Sequence, residues 1–205
     1  MSLKSFIKFA IIQPKTAFQN IVMTVIGVYG RYSELSVFKE TFLEGEYAWL
    51  YNQINQQSVV VDIGSNVGDT AFFFLTNNKV KKLIGFEVDG KAFGRCKQIF
   101  TRLNQDRALF LNKKADLSVM NKILKDQNFP IAIKCDIEGG EYDIFREGLD
   151  LKKVYAIEME YHYGVQKIKS FLESEGFTVE FSRKNNNPIG WNIGLLKAKR
   201  PLLHK

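Results

Sequence analysis

A doubly wound α/β domain is what this sequence predicts, with a mostly parallel, seven-stranded sheet that ends in an antiparallel β-hairpin. Three observations carry that expectation. The run Ser58-Val59-Val60-Val61 is short, apolar and β-branched, as a buried strand is, and a glycine-bearing turn joins it to the helix-forming stretch Ala71-Phe72-Phe73-Phe74-Leu75. Strand and helix patterns then alternate as far as residue 174. Beyond that point two strand-like segments, 177–183 and 191–198, follow with only the turn formers of 184–190 between them. Parallel neighbours need a crossover helix, whereas a short turn makes antiparallel neighbours.

The elements follow in order. A helix over 46–55 leads into the first strand. The turn Asp62-Ile63-Gly64-Ser65-Asn66-Val67-Gly68-Asp69-Thr70 comes next. Its glycines let a ligand approach the backbone, and the helix start behind it offers N–H groups. Strand two is 82–87, with Leu83, Ile84 and Phe86 apolar. The helix over 92–104 sets Phe93, Cys96, Ile99, Phe100 and Leu103 on one side. Strand three lies near 108–111 and a short helix near 117–125. Pro130 introduces strand four, 131–136, and Ile144 and Phe145 belong to the helix after it. Strand five is 154–160, and the last helix, 165–174, is stopped by Gly176.

The 205 residues suffice for one domain with a sizeable core. Composition excludes repeat, collagen-like and disordered classes. The net charge of +7 is concentrated at the ends. Residues 1–39 carry five Lys/Arg and one Glu, and residues 183–205 carry six Lys/Arg and no acid. Such ends suit a phosphate-rich partner or an anionic membrane surface, although solvated ends are the plainer reading. No stretch combines a dense basic run with stacked aromatics, so no specific nucleic-acid partner is expected. Cys96 and Cys135 have neither a disulfide framework nor zinc spacing around them, and no signal-cleavage pattern stands out, so the expected location is cytoplasmic. After Pro14, the residues Phe18, Ile21, Val22, Val25 and Tyr29 recur at helical spacing, which predicts an amphipathic helix that packs on the domain or caps its cleft.

Four motifs stand at the carboxyl ends of the predicted strands. They are Val61 through Thr70, then Gly85-Phe86-Glu87, then Ile133-Lys134-Cys135-Asp136-Ile137-Glu138-Gly139-Gly140-Glu141, and Ile157-Glu158-Met159-Glu160-Tyr161-His162. In this element order they resemble the class I S-adenosylmethionine-dependent methyltransferases, and more narrowly the FkbM family. The resemblance runs from residue 45 to the C-terminus, and Gly140 stands where that family usually has alanine. It implies a Rossmann-like methyltransferase fold, S-adenosylmethionine as cofactor, a methyltransfer reaction and a hydroxyl on a small-molecule, glycan or lipid-linked acceptor. Residues 1–44 then form an N-terminal helical extension and 45–205 the cofactor-binding domain.

The expected cofactor residues are Asp62, Gly64, Asn66, Gly68, Thr70, Glu87, Ala115, Asp116 and Asp136. Glu87 ends strand two some twenty residues after the glycine turn, where an acid accepts both ribose hydroxyls. By resemblance Gly64 and Gly68 lie beside the methionine part, and Asp62 takes its ammonium. Asn66 and Thr70 stand at a helix start, where capping is the competing role. Ala115 and Asp116 fall where such folds read the adenine edge, with an N-cap as the alternative for Asp116. The expected catalytic residues are Asp136, Glu138, Glu160 and His162. Crowded carboxylates at strand ends repel one another unless a donor or cation sits among them. By resemblance Asp136 faces the methyl end. Asp136 or His162 is the candidate base for a hydroxyl. Glu138 and Glu141 have helix capping as the plainer role. No metal is expected; magnesium on Asp136, Glu138 and Glu160 is the alternative. An NAD(P)-dependent oxidoreductase would share the turn and the acid but calls for a three-glycine pattern. A non-catalytic nucleotide-binding or membrane-surface module would work through the basic ends instead.

Overall fold

The computed structural model describes residues 41, 45–183 and 192–201. The expected helix after Pro14 and the boundary at residue 44 lie outside the described residues. Within them the chain runs α1 (Ala48–Gln53), β1 (Ser58–Ile63), α2 (Asp69–Leu75), β2 (Val80–Glu87), α3 (Gly90–Arg102), β3 (Ala108–Asn112), α4 (Leu117–Lys125), β4 (Ile131–Cys135), α5 (Glu141–Ile144), β5 (Val154–Tyr161), α6 (Gln166–Ser174), β6 (Thr178–Arg183) and β7 (Gly194–Lys199).

The strands form one sheet in the order β3-β2-β1-β4-β5-β7-β6. β1 pairs in parallel with β2 and β4, β2 with β3, and β4 with β5. Only β7 runs antiparallel, between β5 and β6. The sheet is therefore mixed, with the predicted hairpin inserting its second strand. Chain order reverses between β1 and β4, and a crevice opens outside the strand ends at such a switch point.

Alternation along each strand builds two cores. Val59, Val61, Ile63, Ile133, Cys135, Ile157 and Met159 face Met120, Leu124, Ile144, Ile168 and Leu172 of α4, α5 and α6. Val60, Ala132, Leu83 and Ala156 face Leu50, Phe74, Ile99 and Phe100 of α1, α2 and α3. Every residue of β1 is buried, as the apolar run predicted. Each buried Val, Ile, Leu, Met or Phe side chain contributes about 1.5–3 kcal/mol by leaving water. The structure shortens some expectations. α1 spans Ala48–Gln53, α5 is a single turn, and β4 stops at Cys135, so Asp136 stands in the loop.

One line of residues across the second face is charged. In register, Asp62 of β1 stands beside Lys134 of β4, Lys134 beside Glu158 of β5, Glu158 beside Lys197 of β7, and Lys197 beside Glu180 of β6. Signs alternate along the whole row. A charge in a sheet interior costs several kcal/mol unless a partner answers it, so the pairing of this row governs what lies above it.

Candidate functional site

The loops after β1, β2, β3 and β4 enclose a cavity of about 560 Å³. Its walls are Ile63, Gly64 and Asn66 from the first loop, Phe86, Glu87 and Val88 from the second, Lys113, Lys114 and Ala115 from the third, and Asp136, Ile137, Glu138 and Gly140 from the fourth. That size falls within the range of small-molecule sites. Six of the sequence-expected residues meet there: Gly64, Asn66, Glu87, Ala115, Asp136 and Glu138.

Glu87 is fixed from two directions. Its Oε2 accepts the Asn66 N–H at 2.8 Å and its Oε1 accepts the Asp89 N–H at 2.8 Å. A carboxylate has about four acceptor positions, so two remain for a ligand diol. Asn66 adopts a left-handed conformation, φ 47°, which points its N–H at Glu87. Glu138 is left-handed as well, φ 50°. Such conformations outside glycine cost energy and collect at sites where the surroundings impose them.

Gly64 is required for a reason other than ligand approach alone. A Cβ there would collide with the Asp136 carbonyl oxygen, so the loops after β1 and β4 touch through it. Gly68 differs from expectation. It is absent from the cavity wall, and a Cβ there would come within 2.6 Å of Phe100 and 2.8 Å of Cys96 on α3. The glycine serves helix packing. The turn's own amides are also occupied: Gly64 and Ser65 donate to the Phe86 carbonyl, and Gly68 donates to Ser65.

Asp62 and Thr70 also leave the wall. Asp62 is fully buried, accepts a hydrogen bond from Thr70 Oγ1 at 2.7 Å, and lies 3.1 Å from Lys134 Nζ. Lys134 in turn donates to the Gly64 carbonyl at 2.6 Å. Burial alone would lower the lysine pKa, but Asp62, Asp136 and Asp69 outweigh it and hold the ammonium above its ordinary value. A cation is thus locked beneath the glycine turn. Asp116 accepts from Val119 N–H at 2.8 Å and caps α4, away from the cavity. Its competing role as an N-cap is the one the structure gives it.

The catalytic candidates separate into two layers. Asp136 reaches the cavity and accepts a hydrogen bond from Tyr47 Oη at 3.3 Å. His162 does not reach it and is 1% exposed. Its backbone N–H and its Nδ1 both contact Glu141 Oε1, at 2.8 and 3.1 Å. Its Nε2 lies 3.3 Å from Glu138 and 3.8 Å from Glu160. Glu160 is also off the cavity wall. Glu141 therefore turns to His162 instead of capping α5. Among the described residues, no group of three or more His, Cys, Asp or Glu is arranged to hold a metal ion.

Two residues of this site carried no assigned role in the sequence reading. Lys134 is the one charge in the otherwise apolar β4, a position that demands a buried partner. Tyr47 carries no sequence signal that sets it apart from other aromatics, and its ring lies 5.4 Å from the Lys134 ammonium.

Similar folds recur among solved methyltransferases. A precorrin-6y C5,15-methyltransferase from Geobacter metallireducens matches with a TM-score of 0.53 at 15% identity, over 75% of this chain and 87% of that one. An rRNA methylase from Streptococcus thermophilus matches with 0.53 at 18% identity, over 76% and 94%. TrmK of M. capricolum, solved with S-adenosylhomocysteine, matches with 0.55 at 13% identity, over 73% and 66%. At these identities what is established is the fold: a Rossmann-like methyltransferase architecture with a seven-stranded mixed sheet. No protein-family model and no curated protein matches the chain. The expectation that excluded a specific nucleic-acid partner is overturned, because an rRNA methylase shares this fold and the lack of a dense basic, aromatic run does not exclude RNA. Among the described residues no helix is long and apolar enough to cross a membrane.

Proposed function

We propose that this chain is an S-adenosylmethionine-dependent methyltransferase with the motifs of the FkbM family, and that it methylates a hydroxyl group on a small-molecule, sugar or lipid-linked acceptor. The observation that carries the reading is Glu87. A carboxylate held by two backbone amides on a switch-point cavity is a receptor for a ribose diol. The other walls fit the remaining parts of the cofactor. Phe86, Val88, Ala115 and Ile137 offer apolar surface for the adenine, and Asn66 and Asp136 offer polar groups for the amino-acid end. When bound, S-adenosylmethionine supplies a methyl group made electrophilic by its sulfonium.

The chain's own residues then position and deprotonate. Lys134 ties the floor of the β1 turn, and Tyr47 holds the Asp136 carboxylate at the cavity. Asp136 is the wall carboxylate suited to take the acceptor's proton, with His162 set behind Glu138. Holding the acceptor in line supplies much of the rate in a displacement of this kind. The related structures support methyl transfer as the activity and, in one case, contain its cofactor product.

Calorimetry on the intact chain tests the reading. S-adenosylhomocysteine binds, NADH does not, and Glu87→Ala weakens the first by about tenfold or more with the fold preserved, the equivalent of one lost charge-assisted contact. A folded wild-type chain that ignores S-adenosylhomocysteine sinks the proposal.

A further inference from the structure

A second cavity, of about 1000 Å³, lies beside the first. The segment Glu138-Gly139-Gly140 divides the two: Glu138 and Gly140 line the crevice, and Gly139 lines the second cavity. Both Glu138 and Gly139 are left-handed, and a side chain at 139 would run into the Tyr163 ring. The divider is therefore thin at that point, with an aromatic ring pressed against its far side. Tyr142 Oη fixes this wall, accepting from the Tyr163 N–H at 3.0 Å and donating to the Gly164 carbonyl at 2.6 Å.

The lining has a definite chemistry. Tyr163 and Phe181 are 59% and 44% exposed although large and aromatic, and Phe171 joins them on the wall. Three basic residues from different parts of the chain line it: Arg146 after α5, Lys167 in the first turn of α6, and Arg183 at the end of β6. Glu147 is the one acid among the described residues lining it. Exposed rings bind a planar body by stacking, and a guanidinium beside them binds phosphate through paired N–H groups. A neutral aliphatic ligand would leave the cations unanswered, and a bare anion would leave the rings in water.

We propose that this cavity is a second binding site, and that its ligand is a ring compound carrying a phosphate. The inference rests on the chemistry of the cavity alone and not on the methyltransferase reading. The phosphate-bearing ring comes either from a free small molecule or from a nucleotide of RNA, since both present the same two groups.

Titration calorimetry with and without saturating S-adenosylhomocysteine tests the proposal, with phenyl phosphate as one probe and hexauridylate as the other. At least one binds, more tightly than phenol or inorganic phosphate, and the better probe identifies the source. The double variant Lys167→Ala/Arg183→Ala weakens that binding about tenfold, and Phe181→Ala weakens it separately, while S-adenosylhomocysteine affinity stays unchanged. All three side chains are exposed, so the variants fold. Failure of both probes, or binding indifferent to the double variant, overturns the proposal. Probe binding by a chain that ignores S-adenosylhomocysteine keeps this proposal and sinks the methyltransferase reading, so the two fail separately.

Discussion

The two sides of the charged row across the sheet answer a buried carboxylate with different partners. Asp62 on β1 and Glu158 on β5 flank the same Lys134 in register, and both carboxylates are fully buried. Lys134 pairs with Asp62, at 3.1 Å, and spends its remaining reach on the Gly64 carbonyl. Glu158 is left with the Leu50 N–H at 2.9 Å and with Lys197 at 3.6 Å, a lysine about one-third exposed. Burial raises the proton affinity of both: the Asp62 carboxyl goes up against the pull of Lys134 and Thr70, and the Glu158 carboxyl goes from 4.5 up to about 7 despite the Leu50 amide and Lys197. The lesson concerns position: the fixed charge pair underlies the glycine turn of the cofactor cavity, while the loosely answered carboxylate anchors α1 to the sheet.

The largest expected effect breaks the first side. Lys134→Met leaves Asp62 buried without its cation, which costs about 3–5 kcal/mol of stability at neutral pH. Urea unfolding measures it, and the loss shrinks in acid as Asp62 takes up a proton. Adding Asp62→Asn to the variant returns part of the stability. A cost under about 1 kcal/mol means that the pair does not hold the turn.

The second effect sharpens the other side. The native pKa of Glu158 is raised, so its stabilising contribution is fully present below about 4.5 and is lost as pH rises through about 7. The difference amounts to about 3 kcal/mol for a group this deeply buried. Glu158→Gln keeps an acceptor for Leu50 and cannot ionise. The variant therefore gains on the wild type between pH 5 and pH 8, and unfolding at several pH values reads the gain. Asp69, pushed up to about 6 by burial, bends both curves in the same direction and cancels in the difference. Parallel curves for the two proteins would show that Glu158 already carries its charge in the folded state without penalty.

The same contrast explains what the sequence disclosed. Local signals carried the strand and helix alternation, the hairpin, the position of Glu87 at the end of its strand, and Asp136 at the switch point, because each depends on a few adjacent residues. Asp116 as a helix cap was legible as an alternative for the same reason. The Lys134 pair was not legible, since a lysine flanked by Ile133 and Cys135 says only that a partner exists. That Asp62 and Glu158 both stand beside that lysine depends on register between three strands distant in sequence. The sequence makes His162 a candidate base, and its burial behind Glu138 follows from the path of the chain after β5. Gly68 looked like its neighbour Gly64, and only the placement of α3 distinguishes their tasks.

The smallest effect tests whether the pair and the catalytic wall are one device. Tyr47 is joined to both: its ring lies 5.4 Å from the Lys134 ammonium, and its hydroxyl reaches Asp136 at 3.3 Å. Burial, and then the Asp136 charge, push the phenol pKa well above its ordinary value, so the hydroxyl remains a donor across the neutral range. Tyr47→Phe keeps the ring over the lysine and deletes only the donor. Stability falls by about 0.5–1.5 kcal/mol, as for one hydrogen bond to a partly buried acceptor. S-adenosylhomocysteine affinity changes less than it does in Glu87→Ala, because Glu87 is held by backbone amides that Tyr47 does not touch. Equal losses of affinity in the two variants would mean that Asp136 grips the cofactor as firmly as Glu87 does, and the division between a clamping wall and a reacting wall would have to be redrawn.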